Sequence, residues 1–283
     1  MRKCLIIGDF ILDEFCYYNK KELAKKLFLP GGAGNVFFLL KKIGIPCDFA
    51  CAMDNSIIKS NIFKNVKKSL IQIKDNVTTI KQWNINNKTV IPSDKICKIS
   101  KETYDDLIKK IELNIHRYDI IIFSDYLKGF CSKYFTNKIC SIAQKNSIKI
   151  LIDSKHSTDF SNYYTTVDYL KINKYEFLKL FNCSLKNTTT IFQTMNKLSI
   201  KNLIVTLGKV GAICFCNDKV LKYKIKQSTQ KNIIDIGAGD AFLSMLAKCI
   251  KNNLNLEKSL DLCCNFATQY TTNNTKFREI MNE

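Results

Sequence analysis

Ile233-Ile-Asp-Ile-Gly-Ala-Gly-Asp240 runs straight into the apolar stretch Ala241-Phe-Leu-Ser-Met-Leu-Ala-Lys-Cys-Ile250, and how that junction is read decides the fold. The run after Asp240 has helical length and period. Gly237, Ala238 and Gly239 therefore fall at a helix N-terminus, where backbone N–H groups lack partners within the helix. Small residues let an anion reach those amides, and the partial positive charge of the helix end favours the negative charge that builds up in phosphoryl transfer. A carboxylate at Asp240 would repel such an anion unless it has its own task, and taking a proton from an attacking hydroxyl is one. An Asp in the first turn of a helix is also a common stabilising device, and the octapeptide alone leaves both readings open.

Upstream, short apolar runs alternate with helical ones. Lys3–Ile7 opens into Gly8-Asp9 as a buried parallel strand ending at a polar loop, and Asp13 follows four residues later. Both carboxylates could accept hydrogen bonds from a polyol, or be two acids of a surface turn. Residues 14–29 are mixed and lysine-rich. Pro30-Gly-Gly-Ala-Gly-Asn35 then leads a helix closed by Ile43-Gly44. The glycines lack the Gly-Lys-Ser/Thr of a P-loop and the spacing of a dinucleotide turn, so a nucleotide must be held another way. Asn35 could bind a hydroxylated ligand or simply cap its helix.

A strand is expected at Cys47–Met53, a helix at Ser56–Leu70, and β-rich runs at Val77–Trp83 and Thr89–Ile99 around Asn84-Ile-Asn-Asn87, which read as a hairpin flap. Helices near Glu102–His116, Ser132–Lys145, Lys174–Phe181 and Thr188–Leu198 alternate with strands at Asp119–Phe123, Ile148–Ile152, Val167–Ile172 and Asn202–Thr206. That alternation predicts an α/β protein with a mostly parallel sheet covered on both faces. An antiparallel hairpin, Ala212–Cys216 with Lys219–Ile225, and helices Ala238–Lys251 and Leu256–Thr271 finish the chain. The clusters Ser124–Gly129, Asp153–Lys155, Asn173-Lys174-Tyr175-Glu176 and Thr206–Gly208 all follow strands, and in such a sheet those ends line one crevice.

The bulk numbers narrow the classes. At 283 residues and 46% hydrophobic, the chain can bury a full core as one large domain. The net charge of +19 invites a nucleic-acid reading, but only three of the 44 basic residues are arginines and the lysines are spread through every segment, whereas nucleic-acid binders concentrate basic residues on one element. Thirteen cysteines and two histidines show no zinc or disulfide spacing. No apolar run approaches the roughly 20 residues of a membrane span and no signal peptide precedes the first strand, so a cytoplasmic protein is expected.

With Gly31-Gly-Ala-Gly-Asn35 and Gly237-Ala-Gly-Asp240 in this order, and Asn173-x-x-Glu176 and Thr206-Leu-Gly208 between them, the chain resembles the ribokinase-like (PfkB) carbohydrate kinase family along essentially its whole length. Gly8-Asp-x-x-x-Asp13, Thr78-Thr-x-Lys81, Ser124-Asp-Tyr-x-Lys-Gly129 and Asp153-x-Lys155 are most similar to the branch that phosphorylates D-glycero-D-manno-heptose 7-phosphate at its anomeric position, a kinase often fused to a nucleotidyltransferase domain. Because the chain stops after the kinase helices, adenylyl transfer is expected to belong to a separate protein.

The resemblance implies a ribokinase-like three-layer sandwich as a single domain over 1–283, with lid segments near 14–30 and 77–99 and a homodimer through the lid. It implies ATP and Mg²⁺. Asp240 would be the base and Gly237, Ala238 and Gly239 the anion hole; Asp9, Asp13, Gly31, Gly32 and Asn35 would hold the sugar phosphate. Asn173 and Glu176 would position the metal through water, with Lys174 and Tyr175 between them and Lys155 on phosphate. The nucleotide would lie along Thr206, Gly208 and Gly211, with Asn265 near the base.

Two departures stand out. Asp235-Ile-Gly-Ala-Gly-Asp240 is one residue shorter than the family's usual loop and lacks its hydroxyl residue, which leaves the monovalent cation of some members open and allows a homologue that binds ligand with impaired turnover. Residues 14–29 are shorter than the heptose kinase lid segment and lack its Pro-rich stretch, which leaves ribose, fructose and fructose phosphate as alternative acceptors.

Overall fold

The computed structural model describes residues 2–19, 22–59, 63, 69–73, 78–84, 89–91, 95–225 and 236–272. In chain order the strands are β1 (Lys3–Gly8), β2 (Phe10–Asn19), β3 (Glu22–Gly32), β4 (Cys47–Ala52), β5 (Leu70–Ile73), β6 (Thr79–Asn84), β7 (Thr89–Ile91), β8 (Tyr118–Asp125), β9 (Lys149–Ser154), β10 (Val167–Asn173), β11 (Ile200–Thr206), β12 (Gly211–Cys216) and β13 (Lys219–Lys224). The helices are α1 (Ala33–Lys42), α2 (Asn55–Lys59), α3 (Lys101–Leu113), α4 (Lys133–Lys145), α5 (Phe160–Tyr163), α6 (Lys174–Phe181), α7 (Thr188–Lys197), α8 (Ala238–Lys251) and α9 (Leu256–Thr272).

Nine described strands form one sheet in the order β13-β12-β11-β10-β9-β8-β1-β4-β5. It is parallel except for the β12–β13 hairpin at one edge. Period-two alternation sends Leu5, Ile7, Ile121 and Phe123 into the core beneath α3, α4, α6 and α7, and Cys4, Ile6, Ile120 and Ile122 into the core beneath α1, α8 and α9. The strands read as continuous apolar runs because helices cover both faces. The result is a three-layer sandwich. Asn217 and Asp218, both with positive φ, make the two-residue turn that matches the strand twist of β12–β13. All thirteen cysteines are free thiols and most are buried. Among the described residues no helix is long and apolar enough to cross a membrane.

A second sheet, β3-β2-β6-β7, stands on the first. Residues 14–19 and 22–29, left without an element from sequence, form most of the paired strands β2 and β3. Phe15 is its buried centre, stacked on Trp83 at 6.0 Å and packed by Leu27, Leu29 and Ile236; burying one such ring stabilises by about 2–3 kcal/mol. The contact to Ile236 ties the small sheet to the turn that opens α8. Of the helix expected over Ser56–Leu70, the described residues show α2 at its start, and Leu70 instead begins the edge strand β5, pairing with β4. Of the expected flap turn Asn84–Asn87, Asn84 ends β6 and residues 85–87 lie outside the described residues, as do 60–62, 64–68 and 92–94.

Candidate active site

Parallel register brings the polar strand ends to one level. Gly8 is opposite Ser124, Ser124 opposite Asp153, Asp125 opposite Ser154, and Asn173 opposite Thr206. Above them α8 begins. Gly237 precedes it with φ 78°, a left-handed conformation that glycine adopts without cost, and this turn aims the first amides of α8 along the crevice. Asp240, only 5% exposed, sits in that first turn. Asn35 Nδ2 donates to one carboxylate oxygen at 2.8 Å and the Tyr126 phenol donates to the other at 2.7 Å. Burial raises the pKa of Asp240; the Asn35 and Tyr126 hydrogen bonds pull it down, Asp153 pushes it up and Lys171 lowers it. A buried, ionisable carboxylate at a helix N-terminus suits a proton acceptor.

Beside Asp240 lies a cavity of about 380 Å³. One wall carries two lysine–carboxylate pairs, Lys155–Glu176 at 2.5 Å and the buried Lys171–Asp153 at 2.6 Å. Burial works against the Lys155 charge, but Asp153 and Glu176 hold its pKa above the ordinary lysine value. Thr206, Gly208 and Gly211 also line the cavity, with Ala238 and Gly239 at its end. A Cβ on Gly239 would lie 3.0 Å from Lys171 Nζ, so the lysine head stands close against the helix end. Two ammonium groups facing the first turn of a helix suit a polyphosphate.

Asn173 and Glu176 form a reciprocal cap on α6. Asn173 Oδ1 accepts the Glu176 amide at 2.9 Å, and Glu176 Oε2 accepts the Asn173 amide at 2.8 Å. Among the described residues no group of three His, Cys, Asp or Glu side chains could hold a metal ion. The donor set fits a divalent ion that arrives with its phosphate and water ligands rather than a cage built by the protein.

On the side of the small sheet, Asp13 accepts from Trp83 Nε1 at 2.8 Å, and burial raises it to about 6 against the pull of Trp83 and Lys81. A Cβ on Gly31 would come 2.0 Å from Asp13 Oδ2, so only glycine fits there. Gly32 precedes α1, whose first amide, of Ala33, donates to Asp9 O at 3.0 Å. The Asp9 carboxylate accepts the amides of Tyr126, Lys128 and Phe130 at 2.8, 3.0 and 3.0 Å. Burial and the charge of Asp125 raise it to about 6, while those amides pull it down. Three of its acceptor sites thus organise the 126–130 loop.

Three expected contacts fail. Asn265 does not line the cavity; its exposed side chain bonds Tyr223 and Asp261. The helical period turns it away, and Cys264, Ala267, Thr268 and Thr271 present the cavity face of α9. Lys174 and Tyr175 are exposed on the outer face of α6, where Lys179 lies 4.4 Å over the Tyr175 ring. Asp235 lies outside the described residues. Sequence reasoning missed Tyr126, Lys171 and Trp83. A lysine inside the apolar strand Val167–Ile172 was the available signal for Lys171, since buried lysines need partners.

A mostly parallel sheet covered by helices on both faces, with a buried carboxylate at a helix N-terminus and a lysine-lined cavity beside it, is the setting of a ribokinase-like phosphotransferase that acts on a sugar. The pattern of the pfkB family carbohydrate kinases matches residues 1–275, and the chain belongs to that family; kinases of this family use ATP. The bifunctional protein HldE of Aliarcobacter butzleri is 27% identical over 281 residues, covering 90% of this chain and 58% of that protein. That of Campylobacter fetus is 25% identical over 291 residues, covering 93% and 61%. The chain therefore spans about three fifths of the length of these curated relatives. The fold is similar to Escherichia coli phosphofructokinase-2 in complex with substrates and products, with a TM-score of 0.77 at 16% identity over 96% of this chain and 94% of that one. It is also similar to Arabidopsis thaliana ribokinase complexed with ribose and ATP, with a TM-score of 0.72 at 13% identity, covering 95% and 92%.

Proposed function

We propose that this kinase transfers the γ-phosphoryl group of ATP to O1 of D-glycero-D-manno-heptose 7-phosphate. The carrying observation is Asp240, buried at the start of α8 with each carboxylate oxygen held by one donor. In this reading the acceptor hydroxyl loses its proton to Asp240 as its oxygen attacks phosphorus, and the bond from phosphorus to the ADP oxygen breaks in line. The amides of Gly237, Ala238 and Gly239 steady the transferred group, and Lys155 and Lys171 hold phosphate oxygens. Mg²⁺, when bound, neutralises phosphate charge; Glu176 and Asn173 would hold it through water. Thr206, Gly208 and Gly211 border the nucleotide.

Asp13, Gly31, Gly32, Asn35 and the remaining acceptor capacity of Asp9 would hold the sugar. The small sheet serves as its lid within a single kinase domain. That sheet exposes Leu23, Ile80 and Ile91, which supports a homodimer through the lid; a monomeric size in solution would remove that element.

The heptose assignment is supported by the motifs at Ser124–Gly129 and Asp153–Lys155 and by similarity to the HldE proteins. The test is a coupled ADP-release assay with heptose 7-phosphate, free heptose, ribose, fructose and fructose 6-phosphate. Heptose 7-phosphate should exceed free heptose about 100-fold or more in kcat/KM, because a missing phosphate leaves cationic partners unpaired. A neutral sugar as best substrate overturns the heptose assignment and leaves the kinase chemistry standing. Asp240→Asn should lower kcat by about 10²–10⁴-fold with ATP affinity kept; near-normal turnover ends the base assignment.

A further inference from the structure

We infer that Tyr126 is a positioning residue for phosphoryl transfer: its phenol O–H orients the Asp240 carboxylate and keeps it ionised, and Asp9 acts by setting the loop that carries Tyr126. The inference rests on the reading of Asp240 as the base.

Tyr126 follows β8, and the chain there takes an unusual path. Leu127 has φ 58° and Gly129 φ 97°, so left-handed residues alternate and the amides of 126, 128 and 130 converge on one point. That point is the Asp9 carboxylate. A left-handed leucine is strained, and such strain persists only where the surroundings impose it. The path delivers the Tyr126 phenol 2.7 Å from Asp240 Oδ1, opposite the Asn35 amide on Oδ2. With one donor per oxygen the carboxylate plane is fixed, and each oxygen keeps a lone pair. The ring also lies 5.3 Å beneath Lys155 Nζ, and Tyr126 lines the 380 Å³ cavity.

Burial and the Asp240 charge hold the phenol far above its usual titration range, so it stays protonated and donates its O–H to the carboxylate. Asp240 is also faced by Asp13 from β2, Asp153 from β9 and Tyr270 from α9. The cations Lys81 from β6, Lys155 after β9 and Lys171 from β10 face it too. Asn35 and Tyr126 are the hydrogen-bond donors that lower its pKa. Removing Tyr126 should therefore move the proton affinity of the base upward, which a packing role would not do.

The experiment compares pH profiles of kcat/KM for the sugar in the wild-type enzyme, Tyr126→Phe and Asp240→Asn, with melting temperature and ATP affinity as controls. Tyr126→Phe should retain its fold and ATP affinity, lose about tenfold in kcat at neutral pH, and shift the acid limb upward by about one pH unit. An unmoved acid limb in the folded variant overturns the inference. Asp240→Asn with near-normal turnover would instead remove the base reading beneath it, so the two failures are distinguishable. Should Tyr126→Phe not fold, 3-fluorotyrosine at position 126 decides: as a stronger donor of the same shape it should move the acid limb downward, and no movement overturns the inference.

Discussion

Gly237→Ala and Gly44→Ala together isolate what the turn before α8 contributes. Both glycines hold nearly the same left-handed conformation, φ 78° and 79°, so both alanine variants bear the same backbone strain of about 1–2 kcal/mol. They differ in surroundings. A Cβ at Gly44 meets no atom within 4 Å, whereas one at Gly237 would lie 2.8 Å from Asn35 Nδ2, 2.9 Å from Tyr270 Cε1 and 3.0 Å from the Tyr270 phenol oxygen. Asn35 Nδ2 is the atom that donates to Asp240. Gly44→Ala should therefore lower Tm by roughly 2–4 °C per kcal/mol of strain and leave kcat unchanged. Gly237→Ala should show at least that loss and also displace the Asn35 amide. A hydrogen bond to a charged group is worth about 1.5–3 kcal/mol, or roughly 10- to 100-fold in rate. Single-turnover rates and thermal melts of both variants measure the two effects separately. Equal kcat for Gly237→Ala and wild type, or an equal loss in both variants, would refute the reasoning.

Glu176→Gln keeps an oxygen for the Asn173 amide, so α6 should stay capped and Tm move little, but it removes the charge facing Lys155. The Mg²⁺ concentration for half-maximal rate should rise more than the sugar KM; the opposite pattern, read from initial rates over a Mg²⁺ series, would move Glu176 into the sugar shell. Asp13 bears on the pH dependence of stability. Burial raises it from 3.8 to about 6, so between those values the folded protein holds a proton that the unfolded chain has released. Its contribution is full below about pH 4, falls as pH rises through 6, and is flat above. Asp13→Asn should remove that slope and raise Tm at pH 7 while sugar turnover drops, and an unchanged Tm–pH curve from pH 4 to 7 would count against it.

Some of this was legible because it is local. The Gly237–Asp240 junction, the ends of α6 and the Asn217-Asp218 turn are fixed by residues within a few positions of each other, and the elements fall where those residues put them. The β2–β3 hairpin was not legible. Lys25 and Lys26 sit on its exposed strand β3, a register shift between Tyr17 and Tyr18 breaks the alternation of β2, and the ring that stacks on Phe15, Trp83, comes from β6, some 70 residues away. Tyr126 was hidden for the same reason: its partner Asp240 is 114 residues distant.

Asp9, Asn173 and Glu176 show why motif acids and amides are hard to assign from type alone. Accepting an N–H from the backbone and accepting an O–H from a sugar, or holding a hydrated ion, use the same oxygen atoms. Each of these side chains uses one or more oxygens on backbone amides: Asp9 on the loop of Tyr126, Asn173 and Glu176 on the first turn of α6. Such bonds are rigid because both ends are fixed by the fold, so the oxygen is delivered to the crevice in one orientation. The second oxygen of Glu176 is held by Lys155, a side chain free to turn. Backbone-held oxygens therefore set the frame, and lysine-held ones are those that can exchange partners when phosphate enters. That division separates residues whose loss should disturb folding from those whose loss should disturb binding.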